Sequence, residues 1–163
     1  MKIERLDYAG HVLIPFQDHS YRWIDLKRFS WSGEGPGDAV LGGLIATPEY
    51  GDSYLSPDKR GADVHGPYDL DAIIPACFQT ISPTEAVSTV EEFCSLSPGP
   101  PASEVRERIE SLVLSPIRSA ECYRLRELAY ARHELSYILD EFREVVALRA
   151  DTRELLLVVM AID

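Results

Sequence analysis

Between Gly61 and Ala72 the chain reads GADVHGPYDLDA, which gathers Asp63, His65, Asp69 and Asp71 among two glycines and a proline. Three carboxylates and an imidazole in so short a span are the materials of metal ligation or acid–base chemistry. The frame Asp63-x-His65-x3-Asp69-x-Asp71 has neither the fixed glycine and terminal bidentate glutamate of a calcium loop nor the nitrogen and sulfur donors that zinc prefers. No metal is expected there. Acid–base work needs two carboxyl groups whose surroundings push their pKa values apart, and spacing alone does not supply that.

The other motifs fall short in the same way. RHELSY resembles the start of a zinc-binding H-E-x-x-H, but Tyr137 stands where the second histidine belongs, so His133 and Glu134 are read as a polar surface. No G-x-S-x-G elbow is present for a nucleophilic serine. Gly33, Gly35 and Gly37 in WSGEGPGD lack the spacing of a dinucleotide loop and the lysine of a phosphate loop, which leaves a flexible connection. Cys77, Cys94 and Cys122 are odd in number and far apart, and are expected as buried free thiols. No catalytic residue and no cofactor is expected.

The elements that must position these residues belong to one domain, 1–163. At 45% hydrophobic and 26% charged the chain is ordinary globular material. Its longest apolar run, Leu155 to Ile162, is too short for a membrane span, and the charged N-terminal stretch does not read as a secretory signal, so a cytoplasmic protein is expected. A net charge of −11 with no basic stripe excludes ordinary nucleic-acid binding. The excess is uneven: Asp38 to Asp71 holds seven acids against Lys59 and Arg60, a net of −5. Such a field attracts a basic partner.

Strands are expected over about 2–47. KIERLDY and HVLIPF form a hairpin turning at Ala9-Gly10. YRWIDLKRF follows, with Tyr21, Trp23, Ile24, Leu26 and Phe29 inward and Arg22, Asp25, Lys27 and Arg28 opposite. AVLGGLIAT is read as a buried strand. From about 48 to 72 no period survives, and a long acidic loop is expected. Ser82-Pro83-Thr84-Glu85 carries a cap, a first-turn proline and a capping-box glutamate, so a helix should run over about 83–95. A second is expected over about 103–114, before Pro116. A third is expected over about 119–142, where Leu125, Leu128, Ala131, Leu135, Ile138 and Phe142 recur at steps of three and four. A hairpin over about 144–162 ends the chain, its last strand too apolar for an edge. The sum is an α+β fold: an antiparallel sheet from the N-terminal strands and the C-terminal hairpin, covered on one face by three helices from the middle of the chain.

This plan, with the C-terminal stretch ARHELSYILDEFREVVALRADTRELLLVVMAID, resembles that of small acidic bacterial immunity proteins, which neutralise toxins delivered by neighbouring cells. The resemblance implies a non-catalytic protein whose acidic surface masks the active site of a basic, nuclease-type toxin. The expected partner surface is the long loop, with Asp52, Asp58, Asp63, Asp69 and Asp71 supplying the field and Tyr50, Tyr54 and Tyr68 the aromatic anchors. An alternative is a small-molecule sensor or small enzyme with a pocket between helices and sheet, lined by Trp23, Trp31 and the row Tyr123, Tyr130 and Tyr137. It requires a deep cavity holding convergent polar groups. A further alternative, a self-associating subunit, requires a symmetric apolar patch.

Overall fold

The computed structural model describes residues 4–55 and 63–163. Its frame is a six-stranded antiparallel sheet: β1 (Asp7–Pro15), β2 (Arg22–Ser30), β5 (Phe78–Ile81), β6 (Glu121–Leu125), β7 (Glu141–Arg149) and β8 (Glu154–Ile162). In space the order is β1-β2-β8-β7-β6-β5, so the last strand lies between β2 and β7. Seven consecutive residues of β8, Leu155 to Ala161, are buried, which only a strand covered on both faces can achieve. Helix α1 (Gly37–Ile45) and a two-strand ribbon, β3 (Val64–His65) with β4 (Tyr68–Asp69), lie on one side. Helices α2 (Pro83–Cys94) and α3 (Ser103–Ile109) lie on the other. The fold is α+β, with helices from the middle of the chain on an antiparallel sheet.

The expectation of helices on one face needs correction, because both faces are covered. Ile24, Leu26, Val145, Val158 and Met160 pack with Val90 and Phe93 from α2, Ile109 from α3 and Val113 just beyond it. Phe29, Val146, Leu157 and Val159 pack on the opposite face with Val40, Leu41 and Leu44 of α1 and with Tyr50 and Tyr68.

Three element readings are also overturned. Ala9-Gly10 is not a turn: pairing with β2 continues through it as a bulge, which Gly10 accommodates at φ +114°. AVLGGLIAT is helix α1 rather than a strand. Val40, Leu41 and Leu44 have helical spacing, and Gly43 lets the helix approach the Glu4 backbone so closely that a Cβ would collide with it. The third helix over 119–142 is absent. Its first part is β6, held between β5 and β7 with Cys122 and Tyr123 on opposite faces, and the remainder runs through two short 3-10 turns, Ala129–Ala131 and Ser136–Ile138, into β7. Leucine steps of three and four form no helix here because both edges of the segment's start are taken up by strand pairing.

The capping box of α2 forms as its residues dictate: the Ser82 hydroxyl accepts from Glu85 N at 3.1 Å, and the Glu85 carboxylate accepts from Ser82 N at 3.4 Å. Helix α3 does not stop before Pro116 but opens into a wider turn, Glu110–Leu114, and then runs on through Ser115–Ile117. All three cysteines are buried and free, and burial pushes the Cys94 and Cys122 thiols up to about 11, which keeps them protonated. Among the described residues no helix is long and apolar enough to cross a membrane.

Candidate functional site

Alternation along β2 places Trp23, Asp25, Lys27 and Phe29 on the α1 face of the sheet. The register extends this row on both sides. His11 and Leu157 flank Lys27, Leu13 and Val159 flank Asp25, and Glu144 follows Val159 on β7. The division of β2 expected from its sequence fails here, since Arg22, Asp25 and Lys27 are all buried. A buried charge survives only if it is paired and hydrogen-bonded, so partners must come from elsewhere.

They come from the segment beginning at Pro48, which folds down over the row. The Lys27 ammonium donates to Asp52 Oδ2 at 2.8 Å, to the Glu49 carbonyl at 3.0 Å and to the Tyr54 hydroxyl at 3.0 Å. Its Nζ also lies 4.4 Å from the centre of the Tyr54 ring. The other Asp52 oxygen accepts from Tyr54 N at 2.8 Å and so shapes the turn that delivers Tyr54. Tyr54 stacks on Trp23, ring centres 5.6 Å apart. His11 Nδ1 and Asp25 Oδ1 are 3.0 Å apart.

A second polar cluster lies deeper. Tyr50 donates its hydroxyl proton to Glu144 Oε2 at 2.9 Å, and His65 Nε2 shares a hydrogen bond with Glu144 Oε1. The His65 ring stacks on Tyr50 at 3.8 Å and only 7° from parallel. His65 Nδ1 donates to the Tyr50 carbonyl at 2.6 Å. The ribbon turn at Gly66 fits beneath Phe142 because glycine has no side chain, and a Cβ there would strike the ring. Burial, reinforced by Glu144, holds the Tyr50 phenol well above its ordinary pKa. Burial with Asp25, Glu144 and Asp52 nearby does the same for Tyr54. Both therefore remain neutral phenols.

Beside these groups is a cavity of about 710 Å³, bordered by His11, Leu13, Trp23, Asp25, Lys27 and Tyr54. Ligand pockets commonly have volumes of roughly 300–1,000 Å³ and place a few polar groups among apolar walls. His11 has its Nδ1 engaged with Asp25, the arrangement that orients a histidine base. No Ser, Thr or Cys lies among the described lining residues. Among the described residues no three His, Cys, Asp or Glu side chains are grouped to hold a metal.

The residues expected from sequence divide into three groups. Asp52 and Tyr54 are brought into the site, and Tyr50 lies beneath it. Tyr68 is buried against Phe142, ring centres 6.0 Å apart, so neither Tyr50 nor Tyr68 presents a ring to a partner: a loop without periodicity can still pack its aromatics when the sheet below offers an apolar face. Asp63, Asp69 and Asp71 are exposed and away from the cavity, and Asp58 lies outside the described residues. Trp23 borders the cavity, while Trp31 and the tyrosines at 123, 130 and 137 do not. Sequence reasoning missed His11, Asp25, Lys27 and Glu144, and it weighed His65 only with Asp63, Asp69 and Asp71, not with the Tyr50 and Glu144 that it meets. The available signal was strict alternation in WIDLKRF, which sets Asp25 and Lys27 between Trp23 and Phe29.

No family model matches the chain, and no curated protein sequence matches it. Among solved structures the chain is similar to citrus MAF1, at 14% identity and a TM-score of 0.43 over 90% of this chain and 92% of that one, a likeness too slight to carry a functional conclusion.

Proposed function

We propose that this protein binds a small molecule in the cavity over β1 and β2, as a sensor or carrier. The observation that supports the reading is the convergence of His11, Asp25, Lys27, Asp52 and Tyr54 on a cavity of about 710 Å³ over the sheet. Three free cysteines suit a reducing, cytoplasmic setting. A fragment-library thermal-shift screen tests it. A ligand present at about a hundred times its Kd stabilises the fold by roughly 2.7 kcal/mol. Leu13→Trp, at an exposed position on the cavity wall, should abolish the shift while leaving the melting temperature of the free protein unchanged. Hits that bind Leu13→Trp as well as the parent protein would defeat the reading.

A second reading, an immunity protein masking a basic toxin, is supported by the net charge of −11 and by the exposure of Asp63, Asp69 and Asp71 close together in the chain. The steering role then belongs to these three carboxylates. With a cognate basic toxin in hand, Asn at all three positions should slow association by about ten-fold, as should added salt. An association rate indifferent to both would refute it.

A further inference from the structure

The hydrogen bonds around the cavity restrict the class of ligand it can take. Two cations border it, and neither has a donor to spare. An ammonium carries three N–H bonds, and those of Lys27 are satisfied by Glu49, Asp52 and Tyr54. A guanidinium carries five. Arg22 directs its own to the Ser20 hydroxyl, to Asp18 Oδ2 and to the carbonyls of Phe93, Cys94, Leu96 and Gly99, at 2.6–3.3 Å. Each cation also has a carboxylate of its own, Asp52 and Asp18 respectively. An anionic ligand would find no free donor on either.

Acceptors remain. Asp25 Oδ1 is engaged by His11, but Oδ2 lies 3.9 Å from Lys27, beyond hydrogen-bonding reach, and accepts from no described residue. Asp163 also borders the cavity. Its Oδ1 accepts from Trp23 Nε1 at 2.9 Å, and its Oδ2 accepts from no described residue. Around these oxygens stand Trp23, Tyr21 at 71% exposure and Leu13 at 50%, with Gln17 and His19 as further polar side chains on the cavity border. Ring faces and carboxylate oxygens together suit a cation with an apolar body.

We propose that the cavity selects a cationic ligand, an ammonium or amidinium group on a flat apolar body, with Asp25 as its anchor and Trp23 as its aromatic wall. The proposal rests on the small-molecule reading above. It is tested by calorimetric titration of the full chain with three probes that share one indole body: tryptamine (cation), tryptophol (neutral) and indole-3-propionate (anion).

Tryptamine should bind tighter than tryptophol by about ten-fold or more, the effect of one charge-assisted hydrogen bond, and indole-3-propionate should bind weakest. Asp25→Asn should make tryptamine and tryptophol equivalent. Because Asp25 is buried and that variant stands to lose stability, Leu13→Arg provides an independent check. Position 13 is half exposed and directly opposite Asp25 in the strand register, so an arginine there occupies the free carboxylate oxygen from within the chain and should remove the preference for tryptamine. Tightest binding by indole-3-propionate, or a tryptamine preference that survives both substitutions, would overturn the cationic class while leaving a small-molecule pocket in place. Absence of binding by all three would overturn both.

Discussion

Arg22→Met is expected to lower the unfolding free energy by about 3–5 kcal/mol, read from urea denaturation. Helix α2 ends at Cys94 with no basic residue in its last turn, and the last carbonyls of any helix lack intrahelical donors. Arg22 reaches from β2 to supply them, donating to Cys94 at 2.8 Å and Phe93 at 3.3 Å, then to Leu96 at 3.0 Å and Gly99 at 2.6 Å in the chain beyond. It also lies over the Phe16 ring at 4.6 Å. Methionine fills part of the space but removes the donor to the Cys94 and Gly99 carbonyls, at roughly 1 kcal/mol or more each where water cannot replace it, and strands Asp18 without its cation, while the Phe93 and Leu96 carbonyls keep the backbone N–H groups of Leu96 and Gly99. Arg22→Lys keeps the charge with fewer donors in a different geometry, and should fall between the two. A loss below about 1 kcal/mol for Arg22→Met would show that the segment after α2 is held by its apolar contacts alone.

Glu144→Leu is expected to be as damaging, at about 3–5 kcal/mol, because it strands the groups that converge on the carboxylate. The Tyr50 hydroxyl and His65 Nε2 both bond to it, and all three side chains are buried. Leucine matches the volume but accepts nothing. The effect should extend to the cavity, since Tyr50 leads directly into Asp52 and Tyr54, the partners of Lys27. Glu144→Gln retains an acceptor and should cost less. Measured side by side, a Leu variant no less stable than the Gln variant would show that the polar cluster contributes nothing beyond its packing.

The legible parts of the fold are those whose signals are local. The Ser82 to Glu85 cap places the start of α2, and the turn near Ala150 with the apolar run after it places β7 and β8 as a hairpin. The segment from 119 to 142 was misread because its leucine spacing is compatible with a helix, whereas its structure is decided by the strands that β6 meets on each side. The candidate site was half legible for a related reason. Asp52 and Tyr54 stand out in sequence as an acidic, aromatic loop. Asp25 and Glu144 become neighbours only because β8 inserts between β2 and β7, with Val159 flanked by both. Which strand inserts there is a property of the whole chain. The aperiodicity of the loop was real, but its tyrosines pack inward, where the sheet offers Val146, Leu157 and Val159.

The two tryptophans allow a direct test of the central claim, that the β1–β2 cavity is the binding site. Trp23 borders the cavity and donates its indole N–H to Asp163, whereas the Trp31 indole N–H is buried and does not border it. In ¹⁵N-labelled protein the two indole cross-peaks are recorded during titration with tryptamine, tryptophol and indole-3-propionate in turn. The expected result is a saturable shift of the Trp23 peak with at least one probe while the Trp31 peak stays in place. Saturable binding that moves Trp31 and leaves Trp23 unmoved, or no response from either at saturating concentrations, would contradict it.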